Sequence, residues 1–250
     1  MNPSTRRILI VNGKGGCGKT TIATNLAVAY ANRGMRVALV DNDPQASSSY
    51  WSEQRNPDLA PVTLVRAHQR STMYQTQTYH NRVPANVDRV IVDGHSYAQD
   101  RDLETLLKQS DVILVPLMPS AIDIRAAGQF ITSLLTHRVF RNAPRPVGVI
   151  ANRVRPNTAI HKKLLHFLGC LDVPSVATFR DSKIYTDAVE HGMGISDMKD
   201  SRTAVKETSA WWKLLDWIDQ QSRSTAATQR ELRSQPRAAP PHYDERTIRA

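Results

Sequence analysis

The sequence predicts an α/β fold, a doubly wound, mostly parallel sheet flanked by helices. Three observations carry that expectation. Short apolar runs rich in Val, Ile and Leu alternate with stretches of helical periodicity along most of the chain. Several of these runs are apolar at nearly every position, as they are when both faces of a parallel sheet are covered. A glycine-rich turn, residues 12–18, joins the first apolar run to the first helical stretch, and open α/β sheets bind ligands at the carboxyl ends of their strands.

Taken in order, strands are expected at residues 8–12, 37–41, 62–66, 89–93, 112–117, 147–151 and 176–179. Helices are expected at 21–33, 45–55, 103–109, 122–138 and 159–168. The polar, Gln- and Thr-rich segment 68–82 fits either a helix or an irregular connection. A last helix is expected at 203–220, where Val205, Thr208, Trp212, Leu215 and Asp219 follow one face and Trp211, Leu214 and Ile218 widen its apolar side. Its polar face mixes Lys206, Glu207, Lys213, Asp216 and Asp219, whereas a membrane-surface helix is usually rich in Lys and Arg there. It therefore reads as packing against the core. Residues 1–220 are expected to form one domain. Residues 221–250, with few large apolar side chains and six arginines, are expected to be a disordered basic tail.

The bulk numbers narrow the class. No apolar run approaches the ~18 residues of a membrane-spanning helix. Two cysteines, Cys17 and Cys170, exclude a disulfide scaffold and suit a reducing cytoplasm. The formal net charge of +10 and pI near 9.9 point to a polyanionic partner, nucleic acid or an anionic membrane.

The turn reads Asn12-Gly13-Lys14-Gly15-Gly16-Cys17-Gly18-Lys19-Thr20-Thr21. Gly13, Gly18, Lys19 and Thr20 meet the G-x-x-x-x-G-K-[ST] pattern. Its backbone N–H groups can cradle phosphate at a helix N-terminus, Lys19 can reach the β- and γ-phosphates, and the Thr20 hydroxyl can sit on Mg²⁺. The second strand ends in Asp41-Asn42-Asp43-Pro44-Gln45. Carboxylates at i and i+2 of a strand end point the same way and can hold a metal's water shell and orient a water, although Asp43-Pro44 also starts a helix well. Asp93 ends the apolar run 89–93, a Walker B pattern that delivers an acid to Mg²⁺; alone, a strand-terminal Asp is common. His95 follows it, but phosphoryl transfer rests mostly on positioning and charge stabilisation, and His95 is not assigned as a base.

The two-lysine loop, residues 14–21, closely resembles the deviant Walker A loop of the ParA/MinD family of ATPases. That resemblance implies ATP and Mg²⁺ bound by Gly13, Lys14, Gly15, Gly16, Cys17, Gly18, Lys19, Thr20 and Thr21. It implies an ATP-dependent homodimer in which Lys14 crosses to the other subunit's nucleotide. Lys14, Lys19 and Asp43 are then the catalytic residues, with Asp43 orienting the hydrolytic water. Thr20, Asp41 and Asp93 serve the metal, and Asn152, at the end of the sixth strand, reads the adenine edge. The stretch Pro116-Leu117-Met118-Pro119-Ser120, followed by Asp123, is similar to the family's dimer-facing P-x-x-P-S. After Asp93 the family continues with Thr or Ala and then Pro-Gly. Here Gly94-His95-Ser96-Tyr97 follows, without that proline. Another two-lysine relative, the nitrogenase iron protein, bridges an iron–sulfur cluster through cysteines that neither Cys17 nor Cys170 matches.

The resemblance, over residues 6–220, is to the short ParF-like type of ParA. Seven residues precede the first expected strand, too few for an N-terminal helix-turn-helix, so operator binding is not expected. The basic residues Arg153, Arg155, Lys162, Lys163, Arg180, Lys183, Lys199, Arg202, Lys206 and Lys213 can line one surface, and Arg180, Lys183, Arg202 and Lys206 are the expected contacts to nonspecific DNA. The implied protein is a slow, cytoplasmic, nucleoid-associated ATPase that positions cargo, with a cargo adaptor or centromere-binding, ParB-like protein stimulating hydrolysis. The cargo is a plasmid, a chromosome or a protein body such as a carboxysome. The competing readings are a MinD-like membrane-associated regulator and a metabolic P-loop enzyme of the dethiobiotin synthetase kind.

Overall fold

The computed structural model describes residues 5–67, 83–96 and 100–234. Among these residues, seven strands form one sheet in the order β3-β2-β4-β1-β5-β6-β7. They are β1 (Arg6–Ile10), β2 (Val37–Asp41), β3 (Val62–Arg66), β4 (Arg89–Asp93), β5 (Val112–Leu117), β6 (Val147–Val154) and β7 (Ser175–Arg180). Every neighbouring pair is parallel. The helices are α1 (Lys19–Asn32), α2 (Ser47–Glu53), α3 (Asp100–Gln109), α4 (Ala121–Thr136), α5 (Arg138–Asn142), α6 (Ala159–Gly169), α7 (Ile184–Glu190) and α8 (Arg202–Ser234).

The alternation of strand side chains divides the core in two. Leu9, Ala38, Val40, Val90, Val92, Ile113 and Val115 face one cluster with apolar residues of α3 to α6. Ile8, Ile10, Val37, Leu39, Ile91, Val112 and Leu114 face the other with α1, α2, α7 and α8. Helix α1 is buried almost throughout, from Ile22 to Ala31, because it lies between the sheet and α8. Trp211 of α8 stacks on Phe179 of β7, ring centroids 4.0 Å apart, so α8 packs on the core as its apolar side predicts.

The differences from expectation have local causes. The strand expected at 8–12 is assigned two residues earlier; Val11 N still donates to Leu114 O at 3.0 Å as the chain turns into the loop. The helix expected at 122–138 breaks at His137, whose extended backbone ends α4 and whose Nδ1 accepts from Val139 N to cap α5. Helix α7 and the 3-10 turn Ile195–Asp197 are absent from the sequence expectation, being too short for a readable period. Val205 does not share the buried face of α8: it is 57% exposed, and Ala204, Trp211, Leu214, Leu215 and Ile218 are buried instead. The helix also runs past 220 to Ser234, into the segment expected to be disordered; residues 221–235 contain no glycine or proline to stop it. Residues 235–250 and the ambiguous segment 68–82 lie outside the described residues. No helix among those described is long and apolar enough to cross a membrane.

Candidate functional site

Strand register assembles the site. Asp93 pairs with Ile10 on one side and with Asp41 on the other, so the ends of β1, β4 and β2 form one row. The glycine-rich turn leaves from that row. Asn12 fixes its start, donating through Nδ2 to Pro116 O at 2.7 Å and accepting at Oδ1 from Lys14 N at 3.2 Å. Gly18 fixes its end: its φ is +93°, and a Cβ there would collide with the Asn152 amide.

The two lysines diverge. Lys19, the first residue of α1, is buried, and its Nζ donates to Lys14 O at 3.3 Å and to Ser96 Oγ at 2.6 Å. Lys14 is part-exposed and ion-paired with Asp123, which lies in the first turn of α4 and bonds to its N-cap, Ser120. Cys17 is buried beneath the loop, its Sγ 3.4 Å from Lys14 O, and burial pushes its thiol pKa up, away from thiolate chemistry. Gly13 lies against the Phe130 ring and Gly15 against Ser96. Gly16 takes a φ of +76°. Thr21 continues the first turn of α1, its carbonyl accepting from Asn25 Nδ2 at 2.9 Å.

The acids form a second layer. Asp93 is fully buried; its Oδ2 accepts from Thr20 Oγ1 at 2.8 Å and from Ser48 Oγ at 2.7 Å. Its Oδ1 has no hydrogen-bond partner among the described residues. Burial raises the carboxyl to about 6 against the bonds from Ser48 and Thr20, which pull it down. Asp41 is equally buried; its Oδ2 accepts from Ser49 N at 2.8 Å and Ser49 Oγ at 2.6 Å, and its Oδ1 from Asp43 N at 3.2 Å. Asp43 stands outside this knot, half-buried, its Oδ1 accepting from Gln45 N at 2.9 Å.

Thr20, Asp93 and Asp41 are thus brought together with two hydroxyls, Ser48 and Ser49, that sequence reasoning does not single out. Three serines after Asp-Pro-Gln are visible in the chain, but which carboxylate each meets depends on how α2 docks. An unpartnered carboxylate oxygen beside the Thr20 hydroxyl suits a small hard cation. No group of three or more His, Cys, Asp or Glu among the described residues is arranged to hold a metal by itself. Asn152 is buried and donates through Nδ2 to Cys17 O at 2.9 Å, so here its amide is engaged with the phosphate loop.

The basic residues divide. Arg180 is exposed at the end of β7, 3.9 Å from Glu207 of α8, and Arg202 and Lys206 are exposed on the same helix. Lys183 precedes α7 and lies 3.8 Å from Asp187. Arg153 and Arg155 clamp Asp181, at 3.1 and 2.7 Å. Lys162 and Lys163 lie on α6, whose core residues belong to the opposite layer from those of α8. Lys162 and Lys163 therefore lie on a helix of the opposite layer from Arg202 and Lys206.

Residues 8–193 match the family described as the CobQ/CobB/MinD/ParA nucleotide binding domain. The chain is 31% identical over 193 residues to the maintenance of carboxysome distribution protein A of Halothiobacillus neapolitanus, covering 75% of this chain and 85% of that one. Among solved structures it resembles the septum site-determining protein MinD of Pyrococcus horikoshii complexed with Mg-ADP (TM-score 0.62, 19% identity, 86% of this chain and 96% of that one). It also resembles apo McdA of Cyanothece (TM-score 0.62, 14% identity, 84% and 99%). At these identities the two structures establish the fold.

Proposed function

The chain belongs to the CobQ/CobB/MinD/ParA nucleotide-binding family, and on that premise we propose that it is an ATPase that dimerises with ATP, binds nonspecific DNA and positions or segregates cargo. The observation that carries the reading is the divergence of the two lysines. Lys19 is turned into its own loop, where an ammonium can meet the β- and γ-phosphates. Lys14 is turned outward to Asp123, in the first turn of α4, from where it can serve a nucleotide held by a second copy.

Within the site, the loop amides and Lys19 hold the phosphates. Thr20 and Asp93, supported by Asp41, would hold Mg²⁺, which when bound neutralises phosphate charge. Asp43, half-buried and clear of the hydroxyl knot, orients the attacking water, and Asp41 braces the turn that carries it through Ser49 and the Asp43 amide. Asn152 reads the base, while its Nδ2 donates to Cys17 O and so ties Asn152 itself to the loop. Arg180, Lys183, Arg202 and Lys206 contact DNA phosphates. Bound to DNA, the ATP dimer would sit on the nucleoid in the cytoplasm, and a partner bound to cargo stimulates hydrolysis and releases the subunits. The relatedness to a carboxysome-distribution protein supports a protein body as cargo beside the plasmid or chromosome reading.

Molar mass by light scattering tests this. With Mg·ATP, an Asp43→Ala chain should run as a dimer and turn over ATP slowly, and with Mg·ADP it should run as a monomer. A monomer under both conditions contradicts the proposal.

A further inference from the structure

Beyond the residues that the loop pattern names, one side chain sits inside the phosphate cradle. Ser96 lies three residues after Asp93, at the turn that follows β4. The path that brings it there is tightly held. Gly94 N donates to Ile10 O at 3.0 Å, and a Cβ on Gly94 would lie 2.7 Å from that oxygen, so only glycine lets the chain press this closely on the end of β1. Two residues on, Ser96 Oγ stands 2.6 Å from Lys19 Nζ and about one van der Waals contact, 3.6 Å, from where a side chain on Gly15 would begin.

A lysine ammonium carries three N–H donors on a flexible stem. Lys19 directs one to Lys14 O at 3.3 Å and one, over a much shorter distance, to Ser96 Oγ. With two of its donors directed by the protein, tetrahedral geometry fixes the third. The serine oxygen that accepts from Lys19 keeps its own proton to donate, and that hydroxyl can rotate toward whatever oxygen the lysine meets. Lys19 is only 5% exposed, so few other groups compete for its ammonium.

The geometry points to Ser96 as a positioning residue for Lys19: its hydroxyl fixes the ammonium in the orientation that the transferring phosphoryl group requires. The inference rests on the ATPase reading above. A preset donor matters more to the transition state, where charge develops on the phosphoryl oxygens, than to the ground state, where a loosely held lysine can still find a phosphate. Removing the hydroxyl should therefore act on turnover more than on affinity, and Thr, which keeps the oxygen on the same carbon, should restore it.

The test compares the full-length protein with Ser96→Ala and Ser96→Thr, measuring steady-state ATP hydrolysis at saturating Mg·ATP and the Kd of a fluorescent ATP analogue. Melting curves establish that all three are folded. Ser96→Ala should lower kcat roughly 10- to 100-fold while changing Kd less than about threefold, and Ser96→Thr should return kcat to within about threefold of the parent. An unchanged kcat in Ser96→Ala overturns the inference, as does a loss confined to Kd. A Ser96→Thr chain as slow as Ser96→Ala also overturns it, by showing that shape against Gly15 matters and the hydroxyl does not. If the parent chain itself hydrolyses no ATP, the ATPase reading fails; an active parent with an indifferent Ser96→Ala defeats only the role of Ser96.

Discussion

The Lys14 ammonium is ion-paired with the Asp123 carboxylate in the first turn of α4, while Lys19, five residues along, is buried in its own loop and bonded to a carbonyl and a hydroxyl. One loop thus holds two lysines whose losses should be separable. Lys19→Ala removes the buried ammonium and should weaken nucleotide binding roughly 10- to 100-fold, the range of a charge-assisted bond. Lys14→Gln should leave nucleotide affinity within about threefold yet abolish the ATP-dependent dimer. Titration with a fluorescent nucleotide, alongside light scattering, reads both; equal loss of affinity in the two variants contradicts the division of labour.

Asp93 should leave a pH signature on stability when magnesium and nucleotide are removed with a chelator. Its folded pKa, near 6, lies above the ordinary 3.8 because burial penalises the carboxylate. The fold therefore favours the protonated form. The stabilisation it draws from that form is complete below about pH 4 and is lost as pH rises through 6. An Asp93→Asn chain, neutral at every pH, should be more stable than the parent at pH 8, by up to about 3 kcal/mol for a shift of two units. At pH 4 the two should match. Thermal melts at both pH values check this, and a gain that is the same at pH 4 and pH 8 contradicts it.

At the opposite ends of the strands, Asp219 of α8 is a hub. It accepts from Arg89 at 2.8 Å and from the Tyr30 hydroxyl at 3.2 Å, and lies 3.8 Å from Arg33. Arg89 also packs over the Tyr30 ring, 5.1 Å from its centroid. Asp219→Ala leaves a mostly buried guanidinium without its carboxylate and should cost about 2–4 kcal/mol in chemical denaturation. Asp216→Ala, on an exposed partner of Arg33, should cost less than about 1 kcal/mol.

The split of the basic residues between two helical layers gives a directional expectation for DNA. Reversing Arg202 and Lys206 to Glu should weaken binding to duplexes of any sequence. It should also make the slope of log K against log salt shallower by about one for each phosphate no longer neutralised. The same reversal at Lys162 and Lys163 should do less. Fluorescence anisotropy over a salt series distinguishes them, and equal effects would mean that the duplex spans both layers.

Much of this architecture is legible in the chain. Strands β2 to β5 fall at the expected residues because each is a dense apolar run bounded by polar or turn residues. The loop is legible because its chemistry is local: glycines, a lysine and a hydroxyl in fixed order. What the chain does not reveal depends on docking. Ser48 and Ser49 look like ordinary helix-start serines until α2 lays them on Asp93 and Asp41. Ser96 is one polar residue in a turn until Gly94 presses that turn onto β1. The family resemblance implies that Asn152 faces a base, and its bond to Cys17 emerges only once β6 is set beside the loop. The length of α8 past residue 220 is hidden because low hydrophobicity reads as disorder, although the segment has no helix breaker before Pro236.

On the proposed function, ATP licenses binding to DNA. Equilibrium binding of the full-length protein to a nonspecific duplex, in parallel with anionic phospholipid vesicles, each with Mg·ATP and Mg·ADP at fixed salt, tests it most directly. The protein should bind the duplex with Mg·ATP, bind it much more weakly with Mg·ADP, and show no nucleotide-dependent binding to vesicles. Nucleotide-dependent capture by vesicles with none by DNA would contradict it and favour a membrane-associated role.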